Sequence, residues 1–197
     1  RGKNYPNKSM LVKSGIPFVN AGDLQNGRIS NEANSFISED RFKLLNSGKF
    51  QENDILFCLR GSLGKSAIVK GFKRGAIASS LVIVRPLGSI SGRFLQYYFD
   101  SPLSKQMINL YDNGTAQPNL SATDLGKFYV PLPPLKEQYH IAAKVDELMS
   151  LCNLLEREQV HNIDNHNNLV TSLLNLLVSS TSDASSVSTT AYIRDTP

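Results

Sequence analysis

Pro131-Leu-Pro-Pro-Leu-Lys-Glu-Gln138 runs straight into an apolar-periodic segment that ends near Leu177. Proline is excluded from a helix interior but suits the first turn, where its missing N–H would be unpaired anyway. A helix is therefore predicted to begin at about residue 134, with Glu137 in the first turn, where a negative charge favours the helix dipole. Ile141, Val145, Leu148, Cys152 and Leu155 then recur at spacings of 4, 3, 4 and 3. That is the seam of a coiled coil. Gln159, Asn162, His166 and Asn168 interrupt it, and Leu169, Val170, Leu173, Leu174, Leu176 and Leu177 resume it. Polar seam positions weaken a coiled coil but help specify its register. A helix over 134–177 is about 65 Å long at ~1.5 Å per residue. An apolar stripe of that length needs a second helix of similar length, from another copy or from a further part of the same chain.

Residues before this helix have a different texture. Ile16–Asn20, Asp54–Arg60, Ser66–Lys70, Ile77–Arg85 and Lys127–Leu132 carry the β-branched and aromatic content of strands. Ser38–Gly48 reads as a short helix, with Ser38 as N-cap, acids in the first turn and Gly48 as the stop. Ser91–Asp100 and Pro102–Tyr111 read as helices whose apolar faces cover the sheet. The predicted class is α+β: a strand-rich domain with short helices, then one long coiled-coil-forming α-helix. The expected boundaries are a domain over 1–132, the helix over 133–178 and a flexible Ser/Thr-rich tail over 179–197.

Charge is divided between these parts. Residues 1–134 carry 17 Lys and Arg against 9 Asp and Glu, a net of +8, and residues 135–197 carry 4 against 8, a net of −4. A basic domain joined to an acidic helix suits a polyanion such as nucleic acid, although a merely solvated basic surface has the same balance. Apolar residues make up 41% of the chain, enough for a core. No run of 18 apolar residues exists, so no membrane-spanning helix is expected. The first residues, Arg1 to Tyr5, hold neither a starting Met nor an apolar signal core, which reads as an internal fragment of a longer chain in the cytoplasm. Cys58 and Cys152 are expected to be reduced and structural. With three His and two Cys widely scattered, metal-ligand spacing is lacking.

Four segments hold candidate binding chemistry. Gly61-Ser-Leu-Gly-Lys-Ser66 invites a phosphate-loop reading, but the full pattern needs a glycine where Leu59 stands. A tight hairpin is the better expectation, with Arg60, Ser62 and Lys65 placed to meet a DNA phosphate, or Arg60 paired to an acid. In Gly114-Thr-Ala-Gln-Pro-Asn-Leu-Ser121, Gln117 and Asn119 have amides able to bond adenine, and Thr115 suits a phosphate or a thymine methyl. The same loop also suits turn and cap chemistry, through Pro118, Asn119 and Ser121. Asn20-Ala-Gly-Asp-Leu-Gln-Asn-Gly-Arg28 offers Asn20, Gln25 and Arg28, and Lys70-Gly-Phe-Lys-Arg-Gly75 offers Lys70, Lys73 and Arg74 on an expected basic hairpin tip. Each is an ordinary solvated side chain on the alternative reading. Catalysis finds no footing: His140, His161 and His166 all fall on the long helix, and neither a cofactor-binding glycine motif nor a nuclease pair of acids stands out.

Taken together, Gly15-Ile-Pro-Phe-Val19, Asp54-Ile-Leu-Phe57, Arg60-Gly-Ser-Leu-Gly-Lys65, Gly114–Ser121 and Pro131–Glu156 resemble the specificity subunits of type I restriction–modification systems, with one target recognition domain and one conserved helical region. The resemblance covers roughly residues 10–178. Asn53 departs from it, standing where the family more often has Gly; Asn tolerates the same left-handed turn. The resemblance implies a non-catalytic module that reads half of a bipartite double-stranded DNA site. It implies modification (methyltransferase) and restriction subunits as partners, and a second recognition domain or a homodimer through the helix. It places S-adenosylmethionine, ATP and Mg on those partner subunits and none on this chain. Family members read different sequences, so the shared Gly114–Ser121 motif suits structure or backbone contact, and base readers are expected in Asn20–Arg28 and Lys70–Gly75. The competing expectation is a coiled-coil adaptor with a protein-binding head, prompted by the PxxP run and the acidic helix.

Overall fold

The computed structural model describes residues 5–30, 35–112, 114 and 118–191, with side chains as far as Leu176, Lys8 excepted. It divides into two compact units, Arg1–Ala143 and Lys144–Pro197. Among the described residues the first unit holds β1 (Ile16–Val19), β2 (Leu24–Gln25), β3 (Arg28–Ile29), β4 (Phe36–Ile37), α1 (Glu39–Leu44), β5 (Lys49–Gln51), β6 (Ile55–Cys58), β7 (Ser66–Ile68), β8 (Arg74–Ile77), β9 (Leu81–Val84), α2 (Gly92–Asp100), α3 (Pro102–Tyr111) and α4 (Ala122–Leu125). The long helix α5 runs from Leu135 to Ala191. The α+β expectation holds.

The strands form two sheets, in the orders β4-β1-β8-β5 and β2-β3-β7-β6-β9. The interior strand β6 shows why the sheets stack. All four residues of Ile55-Leu-Phe-Cys58 are buried. Side chains alternate across a strand, so an unbroken apolar run means that both faces are covered. Leu56 and Cys58 pack with Val19 and Phe50 of the other sheet, while Ile55 and Phe57 pack with Leu95, Tyr98 and Phe99 of α2. On the far side of the four-stranded sheet, Phe18, Ile37 and Ala76 meet Phe42 of α1. One cross-strand pair needs glycine: Phe50 lies opposite Gly75, and a Cβ on Gly75 would fall within the Phe50 ring.

Helix starts follow the sequence. Ser38, Ser91 and Ser121 each cap a helix by accepting a backbone N–H three residues on. Ser101 does the same for α3, with Pro102 in its first turn. At α5, the Pro134 carbonyl accepts the N–H groups of Glu137 (2.8 Å) and Gln138 (3.1 Å).

Several expectations are corrected. Lys127–Leu132 is not a strand. Phe128 stacks on Tyr111 with ring centroids 6.2 Å apart, and Val130 packs on the same core, but the segment joins neither sheet. Pro131, Pro133 and Pro134 carry no N–H for a ladder. Ile77–Arg85 is not one strand either: the chain turns where Leu81 N–H bonds Ala78 O at 3.0 Å, and it passes from the four-stranded sheet to the five-stranded one. The predicted hairpin at Lys70–Gly75 fails for the same reason, because β7 and β8 belong to different sheets. Helix α1 ends at Leu44, ahead of Gly48, whose φ of 76° serves the turn into β5 instead. Helix α5 does not stop near Leu177 but runs to Ala191, since residues 135–196 contain neither Gly nor Pro to break it.

Candidate nucleic-acid interface

Strand register gathers the first group of polar residues. β2 and β3 pair antiparallel, with Leu24 opposite Ile29 and Gln25 opposite Arg28. Asn26 (φ 49°) and Gly27 (φ 72°) form the two-residue turn between them. Both residues need positive φ in this turn type, which Asn-Gly supplies. Leu24 and Ile29 are buried, so Gln25 and Arg28 project from the opposite face, and both are exposed. β3 then runs parallel to β7, with Arg28 beside Ile68. The Asn26–Gly27 tip is therefore level with the start of β7. Gln25 and Arg28 themselves stand level with Ile68, the last residue of β7, whereas the connection from β6 to β7, which carries Arg60, Ser62 and Lys65, precedes its first residue.

That connection is a compact hairpin, as expected. Cys58 N–H bonds Lys65 O at 2.8 Å and Gly64 N–H bonds Cys58 O at 3.0 Å. Gly61 (φ 78°) and Gly64 (φ 84°) take conformations that L side chains resist, and a Cβ on Gly64 would press on Ile108 of α3. Ser62 is exposed and Lys65 half-buried. Arg60 is paired, but not to an acid: its Nε donates to Asn119 Oδ1 at 2.9 Å. Leu120 N–H bonds Leu59 O at 3.0 Å beside this contact. The Asp112 carboxylate accepts the N–H groups of Gly114 (2.9 Å) and Asn119 (2.8 Å), first among the causes that hold its pKa below the usual carboxylate value. The two glycine-containing motifs of the sequence thus meet, and Asn119 joins them. Thr115 and Gln117 lie outside the described residues.

Other candidates fall elsewhere. Asn20 is half-buried before the hairpin, where its N–H donates to Asp23 Oδ2 at 2.7 Å and starts a short helical turn. Lys70, Lys73 and Arg74 follow the far end of β7, five or more residues beyond Lys65, or roughly 16 Å at about 3.3 Å per residue. Two of them are engaged within the protein: Lys70 Nζ bonds Asn53 Oδ1 at 2.8 Å, and Arg74 pairs with Glu39 at 2.9 Å. Asn53 has φ 69°, the left-handed turn expected of it. Nearby, Arg85 grips buried Asp54 through two bonds of 2.7 Å. Lys73 is exposed.

Two glutamines escaped the sequence reading. Gln96 of α2 is 1% exposed; its Nε2 donates to Gly27 O, and its Oε1 accepts from Arg93 at 2.9 Å. Gln138 is equally buried, with Oε1 accepting Ser91 N–H at 2.8 Å and Nε2 donating to Ser89 O and Pro133 O at 2.9 Å each. The signal in each case is a lone amide on an otherwise apolar helix face, which reads as solvated until its partners are known. Asn26-Gly27 was the stronger missed signal, since this dipeptide is the best short-range mark of a hairpin.

Along α5, Ile141 and Val145 are half-buried, while Leu148 (49%), Cys152, Leu155 (63%), Leu169, Leu173 and Leu176 are exposed. Leu177 lies beyond the described side chains. Cys58 is a buried free thiol whose Sγ donates to Arg60 O at 3.0 Å, and Cys152 is an exposed free thiol. Among the described residues no group of His, Cys, Asp and Glu is placed to hold a metal, and no helix is long and apolar enough to cross a membrane.

A family model described as the type I restriction modification DNA specificity domain matches residues 1–165. The chain belongs to that family. The type I restriction enzyme EcoBI specificity subunit of Escherichia coli is 26% identical to this specificity-domain chain over 164 residues, which are 83% of this chain and 35% of that one. The EcoAI specificity subunit of the same organism is 34% identical over 126 residues, covering 59% and 20%. The fold matches the HsdS subunit from Thermoanaerobacter tengcongensis with a TM-score of 0.62 at 22% identity, over 79% of this chain and 35% of that one. It also matches a chain from a structure addressing complex assembly and conformational transition of the type I R-M system, with a TM-score of 0.65 at 22% identity over 80% and 37%. The specificity domain described here thus spans 20% of the EcoAI subunit and 35–37% of the other three relatives.

Proposed function

We propose that this chain is a non-catalytic DNA-sequence specificity module of a type I restriction–modification complex, reading one half of a bipartite site. The observation that carries this is the family match over residues 1–165. The basic balance of the first unit supports it, as do the exposed Gln25 and Arg28 of the β2–β3 hairpin and the joining of Arg60 to Asn119. Cations there neutralise phosphates, and amide and guanidinium groups read base edges. On this reading, residues 1–132 recognise DNA and α5, which begins at Leu135, is the spacer. A second recognition module, from a longer chain or another copy, pairs with its seam. Modification and restriction subunits dock on the assembly and hold the S-adenosylmethionine, ATP and Mg that its chemistry requires. The adaptor reading is not favoured: its PxxP run is a helix entry, where the Pro133 and Pro134 carbonyls accept from Gln138 and Glu137.

The test is selection from a random duplex library with the chain assembled with its modification subunit, repeated at several salt concentrations. Enrichment of a defined motif, with affinity falling steeply as salt rises, is the expected result. A palindromic split motif means that two copies read the halves. No enrichment and no duplex affinity from a fully assembled complex would overturn the reading.

A further inference from the structure

We propose that Gln25 and Arg28 are the base-reading pair of this module and that Gln96 is the residue that positions them; the inference rests on the DNA-specificity reading and deepens it. The two side chains face each other across a register-fixed antiparallel pair, on the exposed face of a hairpin whose other face is buried. Directly opposed side chains on such a pair have Cβ atoms about 5 Å apart. That separation suits two neighbouring base pairs, and a two-stranded β ribbon fits the major groove. An amide bonds adenine through two groups, and a guanidinium bonds guanine in the same way.

The tip is also held from behind, which an idle surface turn does not need. The Gly27 carbonyl accepts both the Ile68 N–H (3.1 Å) and the Gln96 amide, and Gln96 is itself buried and tethered to Arg93. A Cβ on Gly27 would collide with that amide, so the turn residue and the buried glutamine fit only each other. A base reader placed on a fixed backbone loses little freedom on binding. Arg60 differs in kind: its Nε is already committed to Asn119. Register therefore sets the Gln25–Arg28 pair, level with Ile68, apart from the Arg60 loop, which precedes Ser66.

The experiment runs the random-duplex selection on the parent assembly and on assemblies carrying Gln25→Ala, Arg28→Ala, Arg28→Lys and Gln96→Ala, with circular dichroism confirming each fold. Gln25→Ala and Arg28→Ala should each erase preference at one position, and the two positions should adjoin, with a loss of about ten- to a hundredfold in discrimination there. Arg28→Lys, which keeps the charge but not the planar fork, should lose the same preference as Arg28→Ala. Gln96→Ala should relax both positions together, which a purely structural role elsewhere in the fold would not do. If the parent selects a motif and all variants select the same one, the pair assignment falls while the specificity reading stands. A uniform affinity loss in Arg28→Ala, restored by Arg28→Lys with the motif intact, makes Arg28 a phosphate contact and also overturns the assignment. If the parent itself selects nothing, both readings fail.

Discussion

Gln138, in the first turns of α5, accepts the backbone N–H of Ser91 at 2.8 Å, although the two lie 47 positions apart. The same side chain donates to Ser89 O and Pro133 O, so one buried amide joins the start of the helix to the loop that leads into α2. Replacing Gln138 with Leu would leave one N–H and two carbonyls without that partner. We expect a loss of roughly 2–4 kcal/mol in urea unfolding, since each buried polar group left unpaired costs ~1–3 kcal/mol. Gln138→Glu should be no better, because a carboxylate would then face two carbonyl oxygens.

Arg60 and Asn119 should behave as a coupled pair. Arg60→Ala is expected to weaken binding to all duplexes alike and to reduce the salt slope by about one. Asn119→Ala should weaken binding less, by freeing Arg60. The double variant should resemble Arg60→Ala alone, and fully additive losses in a fluorescence-anisotropy titration would show that the contact does not position Arg60.

Gly75→Ala should destabilise the first unit by about 2 kcal/mol or more, as over-packing does, because the new methyl group meets the Phe50 ring. Phe50→Leu, costly in the parent, should recover part of the loss when combined with Gly75→Ala. Chemical unfolding of the four chains reads this out directly.

Burial pushes the Cys58 thiol pKa above its ordinary value. The folded chain therefore keeps a proton that the unfolded chain releases near pH ~8.5. Stability from this group is full below that pH and is lost as pH rises towards the folded value. A Cys58→Ala variant should show a flatter decline between roughly pH 8 and 10, whatever its absolute stability. Thiol titration should count at most one reactive group in the native protein, Cys152, and two in denaturant.

The exposed leucines of α5 make the pairing proposal testable. Leu148→Asp with Leu155→Asp should abolish or strongly weaken helix pairing, read as assembly mass by light scattering. An unchanged mass would remove the seam assignment. The first unit should keep its fold, because neither residue belongs to its core.

Local physics made much of this protein legible from residues alone. Serine caps, the proline start of α5 and the 4-3-4-3 stripe depend on neighbours within a turn or two, so the helices and their starts emerged directly. Central strands were legible too, because an unbroken apolar run such as Ile55–Cys58 has few other uses. Tertiary pairing decided the rest. Whether Ile77–Arg85 is one strand or two depends on which sheet each half joins, and Lys127–Leu132 has the composition of a strand but no ladder to join. The candidate site divides in the same way. The residue types for meeting DNA were visible, but their grouping was not. Parallel register of β3 with β7 sets Gln25 and Arg28 level with Ile68, a long-range contact joins Arg60 to Asn119, and the chain after β7 crosses to the other sheet and takes Arg74 to Glu39. Such long-range pairings are fixed by burial on both faces of a sheet, and burial is a property of the assembled layers, not of any one segment.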